Sequence, residues 1–207
     1  MNPRLLNLPN LMTFFRFPAG LVVLWLFVRM SPENYPDGYP VWSAIAIAII
    51  GVLTFLTDFY DGRVARRYGI VTDAGKMLDP IADSLFFTLL LMGLALSGRF
   101  EVSIWFTVIM LYREAGVQTM RRIAALKGVV LMAGWAGKLK MALQGAAMGV
   151  FGFALFVNDL RLVAVGEPAL IVLAWLGSAV AALCGLLSLG AYLWQLPEMM
   201  REQKEQS

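Results

Sequence analysis

Apolar residues run along this chain in six stretches of about 20, the length needed to cross the hydrocarbon core of a bilayer as a helix. They span about Leu11–Met30, Val41 into the polar segment TDFYDGRVARR, Gly75–Ser97, Phe100–Ala125, Gly134–Val157 and Ala169–Leu196. Short polar or turn-forming links separate them, among them SPENYPDGYP from Ser31 to Pro40 and the loop Arg67–Ala74. Residues 1–10 form an interfacial lead-in, with Leu5, Leu6 and Leu8 toward lipid and Arg4 toward headgroups. Arg16 lies inside the first run and no small-x-small site follows it, so a retained helix is expected rather than a cleaved signal. The expected fold is all-α: a polytopic membrane protein of six transmembrane helices in one domain, 1–207, with a polar tail after Leu196.

Composition points the same way. Of 207 residues, 59% are hydrophobic and 15% charged, with mean hydropathy +0.71. Cys184 is the single cysteine, so no disulfide framework exists. A net charge of +3 would fit a nucleic-acid binder only if gathered on a soluble patch, whereas these cations lie between apolar runs. Sorted by face, Arg4, Arg63, Arg66, Arg67, Lys76, Arg121, Arg122, Lys127, Lys138, Lys140, Arg201 and Lys204 share one side; Arg29, Arg99 and Arg161 lie on the other. By the positive-inside rule the first side, with both termini, is cytoplasmic. Arg16 and Arg113 fall within spans, where each needs a partner or a wet cavity.

Four carboxylates stand where two apolar runs meet. Asp58 and Asp61 share one face of the second helix, as Gly75, Asp79 and Asp83 share one face of the third. At ~2.5–3.5 kcal/mol per acid at the centre of a span, four bare acids would cost on the order of ten kcal/mol. Helix-end charges account for one or two of them; a divalent cation compensates all four. The chain has no His, and an all-oxygen set favours Mg²⁺ or Mn²⁺ over zinc. Gly62 and Gly75 let a ligand approach the backbone, and Arg66 sets a fixed positive charge beside it.

The spacing D-x-x-D-G-x-x-A-R, eight residues, G-x-x-x-D-x-x-x-D is filled by Asp58, Asp61, Gly62, Ala65, Arg66, Gly75, Asp79 and Asp83. It resembles the signature of the CDP-alcohol phosphatidyltransferases. Pro9, Asn10, Leu11, Thr13 and Arg16 are similar to that family's first helix, so the resemblance covers about residues 8 to 145. It implies a multi-pass cell-membrane enzyme, a homodimer, in which Asp58, Asp61, Asp79 and Asp83 hold two divalent ions against the pyrophosphate of CDP-diacylglycerol. Asp83 is then also the general base, and Asn10, Thr13, Gly62, Ala65, Arg66 and Gly75 meet the CDP-lipid.

A second constellation concerns the acceptor. Arg113 and Glu114 interrupt the fourth run, Arg121 follows, and Lys138 and Lys140 open the fifth. An Arg113–Glu114 pair that only joins helices is one reading; a phosphate-binding set of Arg113, Arg121, Lys138 and Lys140 is the other. With Gly137 and Gln144, this set resembles the branch that makes phosphatidylglycerophosphate from glycerol 3-phosphate. Ser84 departs from that branch, many of whose members carry Lys after the last motif acid, and so leaves inositol phosphate, serine or another alcohol open as acceptor. A prenyltransferase would need a second Asp-rich motif, and the other cluster is basic. A divalent-cation transporter would be expected to show paired half-repeats, whereas these acids occupy one half of the chain.

Overall fold

The computed structural model describes residues 8–35, 40–67, 73–126 and 135–206; side chains are described outside 8–10, 58–59, 61–67, 73–77, 80, 121, 125–126, 135–142, 144 and 195–206. Six helices carry the described chain: α1 (Leu8–Arg29), α2 (Val41–Arg67), α3 (Asp73–Leu96), α4 (Ile104–Leu126), α5 (Trp135–Asp159) and α6 (Glu167–Gln206). No strand occurs among the described residues. The fold is all-helical, as the pattern of apolar runs predicts, with boundary differences: α1 begins at Leu8, inside the expected lead-in, and α4 at Ile104 rather than Phe100. Helix α2 runs to Arg67 and α3 starts at Asp73, so residues 68–72 of the expected loop lie outside the described residues. Helix α6 continues through the expected polar tail, where Glu, Met, Arg, Gln and Lys are good helix formers.

Local chemistry sets the helix ends. Ser103 precedes α4, and its Oγ accepts from the Trp105 amide while its carbonyl accepts from Phe106. Gly98, at φ 67°, turns the chain out of α3 through the left-handed region that other residues enter at a cost. Arg161 does the same after α5 without being glycine, at φ 57°, and the Leu162 amide reaches back to the Val157 carbonyl.

The principal helix contacts close a ring in the order α1, α3, α4, α6, α5, α2 and back to α1. Helices α1 and α3 run parallel with a constant offset: Thr13 meets Asp79, Arg16 meets Asp83, and Gly93 packs on Phe27. This approach depends on small residues. A Cβ at Gly20 would lie 2.9 Å from Leu89 Cδ1, and one at Gly93 2.9 Å from Phe27 Cβ. Helix α6 runs parallel to α4 as well, with Gly185 against Met110 and Gly116 against Leu189.

One end of the ring is filled by aromatic rings. Phe100, in the α3–α4 turn, stands edge-on to Phe27 of α1 at 6.3 Å and to Phe151 of α5 at 5.1 Å, and all three are buried. Beside it, Arg99 stacks on the Phe100 ring at 5.0 Å and grips Asp159 with both terminal nitrogens, at 3.0 and 2.8 Å. Its Nη2 also donates to Glu167 at 2.7 Å. Burial alone would lower the Arg99 pKa; hydrogen bonds and charge from Asp159 and Glu167 outweigh burial and hold it above its usual value. The clasp thus ties the α3–α4 turn to the α5–α6 connection.

The outer surface is apolar on each helix for which side chains are described. Leu21 and Trp25 of α1, Val52 and Phe55 of α2, Trp105 and Tyr112 of α4, Phe153 of α5, and Leu187 and Trp194 of α6 all face outward. Residues Leu11–Arg29 and Glu167–Trp194 are long and apolar enough to cross a membrane; shorter apolar stretches are Val41–Thr57, Ile81–Leu96 and Gly145–Asp159. These features are those of a membrane protein. Gly145, Gly149 and Gly152 share one face of α5, and a Cβ on any of them would meet nothing within 4 Å. The G-x-x-x-G pair therefore packs against no other part of this chain's described residues.

Candidate active site

Away from the aromatic end, α1 and α3 bring four polar side chains together. Asp79 and Asp83, one turn apart, face Thr13 and Arg16, nearly one turn apart on the parallel helix. The Thr13 hydroxyl donates to Asp79 Oδ1. Arg16 Nη1 pairs with Asp83 Oδ1 at 2.9 Å, the arginine having no exposed surface and the aspartate side chain 18%. The partner that Arg16 requires inside an apolar helix is therefore a motif acid. Arg16 was legible as a charge in need of neutralising; that Asp83 supplies it depends on the α1–α3 register.

The polar band continues through α3 into α4 and α6. Ser84, next to Asp83, donates to Glu114 Oε2. Glu114 Oε1 accepts from Gln118 at 2.8 Å, and Oε2 accepts from Arg113 Nη1 at 2.6 Å. Arg113, 7% exposed, donates through Nη2 to Ser188 of α6 at 3.1 Å. The expected Arg113–Glu114 pair is present, and it joins three helices. Ser84 has a local role, holding the glutamate that holds Arg113. Ser188 was invisible to sequence reasoning, since a single serine in an apolar run carries no pattern; only its register with Arg113 identifies it.

The other expected residues stand on the same helices. Asp58, Asp61, Gly62, Ala65 and Arg66 occupy the last turns of α2, and Gly75 the first turn of α3. Asn10 lies in the first turn of α1, Arg121 in the last turns of α4, and Lys138 and Lys140 in the first turns of α5. The side chains of all ten lie outside the described residues. Backbone position sets Asp58 and Asp61 one turn apart at the α2 end that leads to α3, matching the one-turn spacing of Asp79 and Asp83. This carboxylate set suits a hard divalent ion, and the two acids with described side chains are held in place by α1.

Comparison with known proteins bears on the family. Residues 6–184 match the family model for CDP-alcohol phosphatidyltransferase. The chain is 36% identical over 148 residues to a "Probable phosphatidylglycerophosphate synthase" of Mycobacterium tuberculosis (strain CDC 1551 / Oshkosh), covering 72% of this chain and 66% of that protein. It is 30% identical over 169 residues to the "CDP-diacylglycerol--glycerol-3-phosphate 3-phosphatidyltransferase" of Bacillus subtilis (strain 168), covering 78% and 82%. A "Cardiolipin synthase (CMP-forming)" of Streptomyces coelicolor (strain ATCC BAA-471 / A3(2) / M145) is 33% identical over 117 residues, covering 56% and 51%. The chain spans just under two thirds of the length of the Mycobacterium protein. With 6–184 matched and the motif acids Asp79 and Asp83 seated on α1, the chain belongs to the CDP-alcohol phosphatidyltransferase family.

Proposed function

We propose that this protein transfers a phosphatidyl group from CDP-diacylglycerol to sn-glycerol 3-phosphate, releasing CMP and forming phosphatidylglycerophosphate. The observation that carries this reading is the seating of the Asp79 and Asp83 carboxylates against Thr13 and buried Arg16, with Arg113 set in the same polar band. The names of the Mycobacterium and Bacillus relatives favour glycerol 3-phosphate as acceptor.

In this mechanism all six helices span the cell membrane, with the acids and both termini on the cytoplasmic side. The distribution of Lys and Arg supports that orientation. The exposed Trp25, Trp42 and Trp105, near the opposite ends of their helices, favour an interface there, which supports spanning helices without setting their direction. The CDP-lipid enters from the inner leaflet, with Asn10, Thr13, Gly62, Ala65, Arg66 and Gly75 around its CMP group. Arg113, Arg121, Lys138 and Lys140 meet the phosphate of the acceptor. Two Mg²⁺ or Mn²⁺ ions, held by Asp58, Asp61, Asp79 and Asp83, would draw electron density from the β-phosphorus. Arg16 and Thr13 fix one oxygen each of Asp83 and Asp79, so that the acids keep one orientation through the reaction. Asp83 takes the proton of the acceptor hydroxyl as that oxygen bonds to the β-phosphorus; the bond from phosphorus to the bridging oxygen breaks, and CMP leaves with that oxygen. The homodimer implied by the family resemblance belongs to the same proposal.

The cardiolipin synthase relative favours one second reading, the same transfer to a different alcohol. Purified protein, radiolabelled CDP-diacylglycerol and a panel of acceptors separate the two. Release of CMP with glycerol 3-phosphate and not with serine, inositol, inositol phosphate or phosphatidylglycerol is the expected result. Release with one of the others alone would reassign the acceptor; no release with any acceptor in Mg²⁺ or Mn²⁺ would remove the transferase reading.

A further inference from the structure

Ser188 lies beyond the residues matched by the family model, which end at 184, and nothing in the motif refers to α6. Yet it is 3% exposed, and its hydroxyl oxygen accepts from Arg113 Nη2 at 3.1 Å. Opposite it, Glu114 takes Nη1 at 2.6 Å. Glu114 is itself held through Ser84 and Gln118, so one side of the guanidinium is gripped from α3 and α4 and the other from α6. Gly185, one turn before Ser188, lets α6 come this close: a Cβ there would lie 3.7 Å from Arg113 Cγ and 3.1 Å from Met110 Sδ. The N–H on Nε is buried and makes no hydrogen bond to a described residue.

We propose that Ser188 is a positioning residue for the acceptor site, holding Arg113 so that its guanidinium is shared between Ser188 and Glu114 rather than surrendered to the carboxylate. This rests on the reading of Arg113 as a contact for the acceptor's phosphate. Arginine and carboxylate favour a two-bond fork. With Ser188 accepting from Nη2, Arg113 gives Glu114 a single bond, and part of its charge stays available to a phosphate. Without the serine hydroxyl, the guanidinium is free to turn and give both terminal nitrogens to Glu114, which moves its charge away from the substrate. Among the described residues Ser188 hydrogen-bonds to Arg113, and it acts through it.

Steady-state kinetics of the full-length protein in detergent test this. Ser188→Ala is expected to raise the KM for glycerol 3-phosphate about 10-fold, the size of one hydrogen bond to a charged group, with kcat and the KM for CDP-diacylglycerol within about 2-fold of wild type. Inorganic phosphate, used as a competitive inhibitor, should weaken in parallel, and Ser188→Thr, which keeps a hydroxyl, should restore both values. If Ser188→Ala fails to fold, Ser188→Cys is read by the same criteria. An unchanged KM for glycerol 3-phosphate overturns the proposal, as does an equal fall with both substrates that Thr does not rescue. A wild-type protein that uses only a neutral alcohol and ignores phosphate would instead overturn the acceptor reading on which the proposal stands.

Discussion

The Arg16–Asp83 pair allows a test in which stability and catalysis separate. At the observed 2.9 Å and an effective dielectric of 20, attraction between the two charges is about 6 kcal/mol. Removing one partner from a buried pair costs about 3–5 kcal/mol, because the survivor is left charged and unpaired. Asp83 keeps 18% of its side chain exposed and recovers part of that loss through solvent, so Arg16→Met is expected at the lower end, about 3 kcal/mol. For a chain of this size that is a fall in Tm of roughly 6–12 °C in detergent. Asp83→Asn should also destabilise, by removing the carboxylate charge 2.9 Å from buried Arg16. The double variant should recover at least about 2 kcal/mol of the summed losses, since the interaction between the two charges is then lost once and not twice. Turnover should not recover with it: Asp83→Asn, alone or with Arg16→Met, is expected to lose about 100-fold or more in CMP release while still binding the CDP-lipid in Mg²⁺. A coupling energy below about 0.5 kcal/mol would show that the pair does not hold α1 on α3. Retention of more than about a tenth of the wild-type rate in Asp83→Asn would remove it as the base.

Other outcomes follow from the packing. Gly93→Ala sets a Cβ 2.9 Å from Phe27 Cβ and should destabilise by about 1–3 kcal/mol, whereas Gly149→Ala meets nothing within 4 Å and should leave Tm unchanged or raise it slightly; equal effects in thermal melts would contradict the α1–α3 register. Arg99→Lys loses the two-bond grip on Asp159 and should lower Tm even though the charge is kept. Because the Arg99 pKa is raised, its contribution is fully present below the unfolded-state value and is lost only as pH climbs through the still higher folded value. The Tm difference between wild type and Arg99→Gln should therefore stay constant from about pH 7 to about pH 10; a difference that shrinks over that range would refute the assignment. Labelling of a cysteine placed at position 72, in a Cys184→Ser background, should occur from the cytoplasmic face only, and labelling from the opposite face would reverse the orientation.

The helices were legible from apolar run length because burial on all sides by lipid or neighbours leaves a strong local signal. The motif acids were legible because helical spacing alone sets Asp58 beside Asp61 and Asp79 beside Asp83. What the sequence could not show was pairing between helices distant along the chain. Arg99 read only as a topology charge, yet it binds Asp159 and Glu167, 60 and 68 positions away. Ser188 carried no signal for the same reason, lying 75 positions from Arg113. Arg16 was intermediate: burial of a charge announced that a partner must exist, and the register of α1 on α3 decided which.

The Phe27–Phe100–Phe151 cluster acquires a meaning once the chain is set across an energised bilayer. In the proposed orientation the buried charges Arg16 and Arg113 lie inside the bilayer, where a membrane potential of 100 mV would drive each unit charge along a complete ion path with about 2.3 kcal/mol. Three interlocked, buried rings, clamped by Arg99, fill the ring of helices away from the polar band and would oppose such a path. On the proposed reading, charged substrates and protons would then come and go on the cytoplasmic side alone, without short-circuiting the membrane.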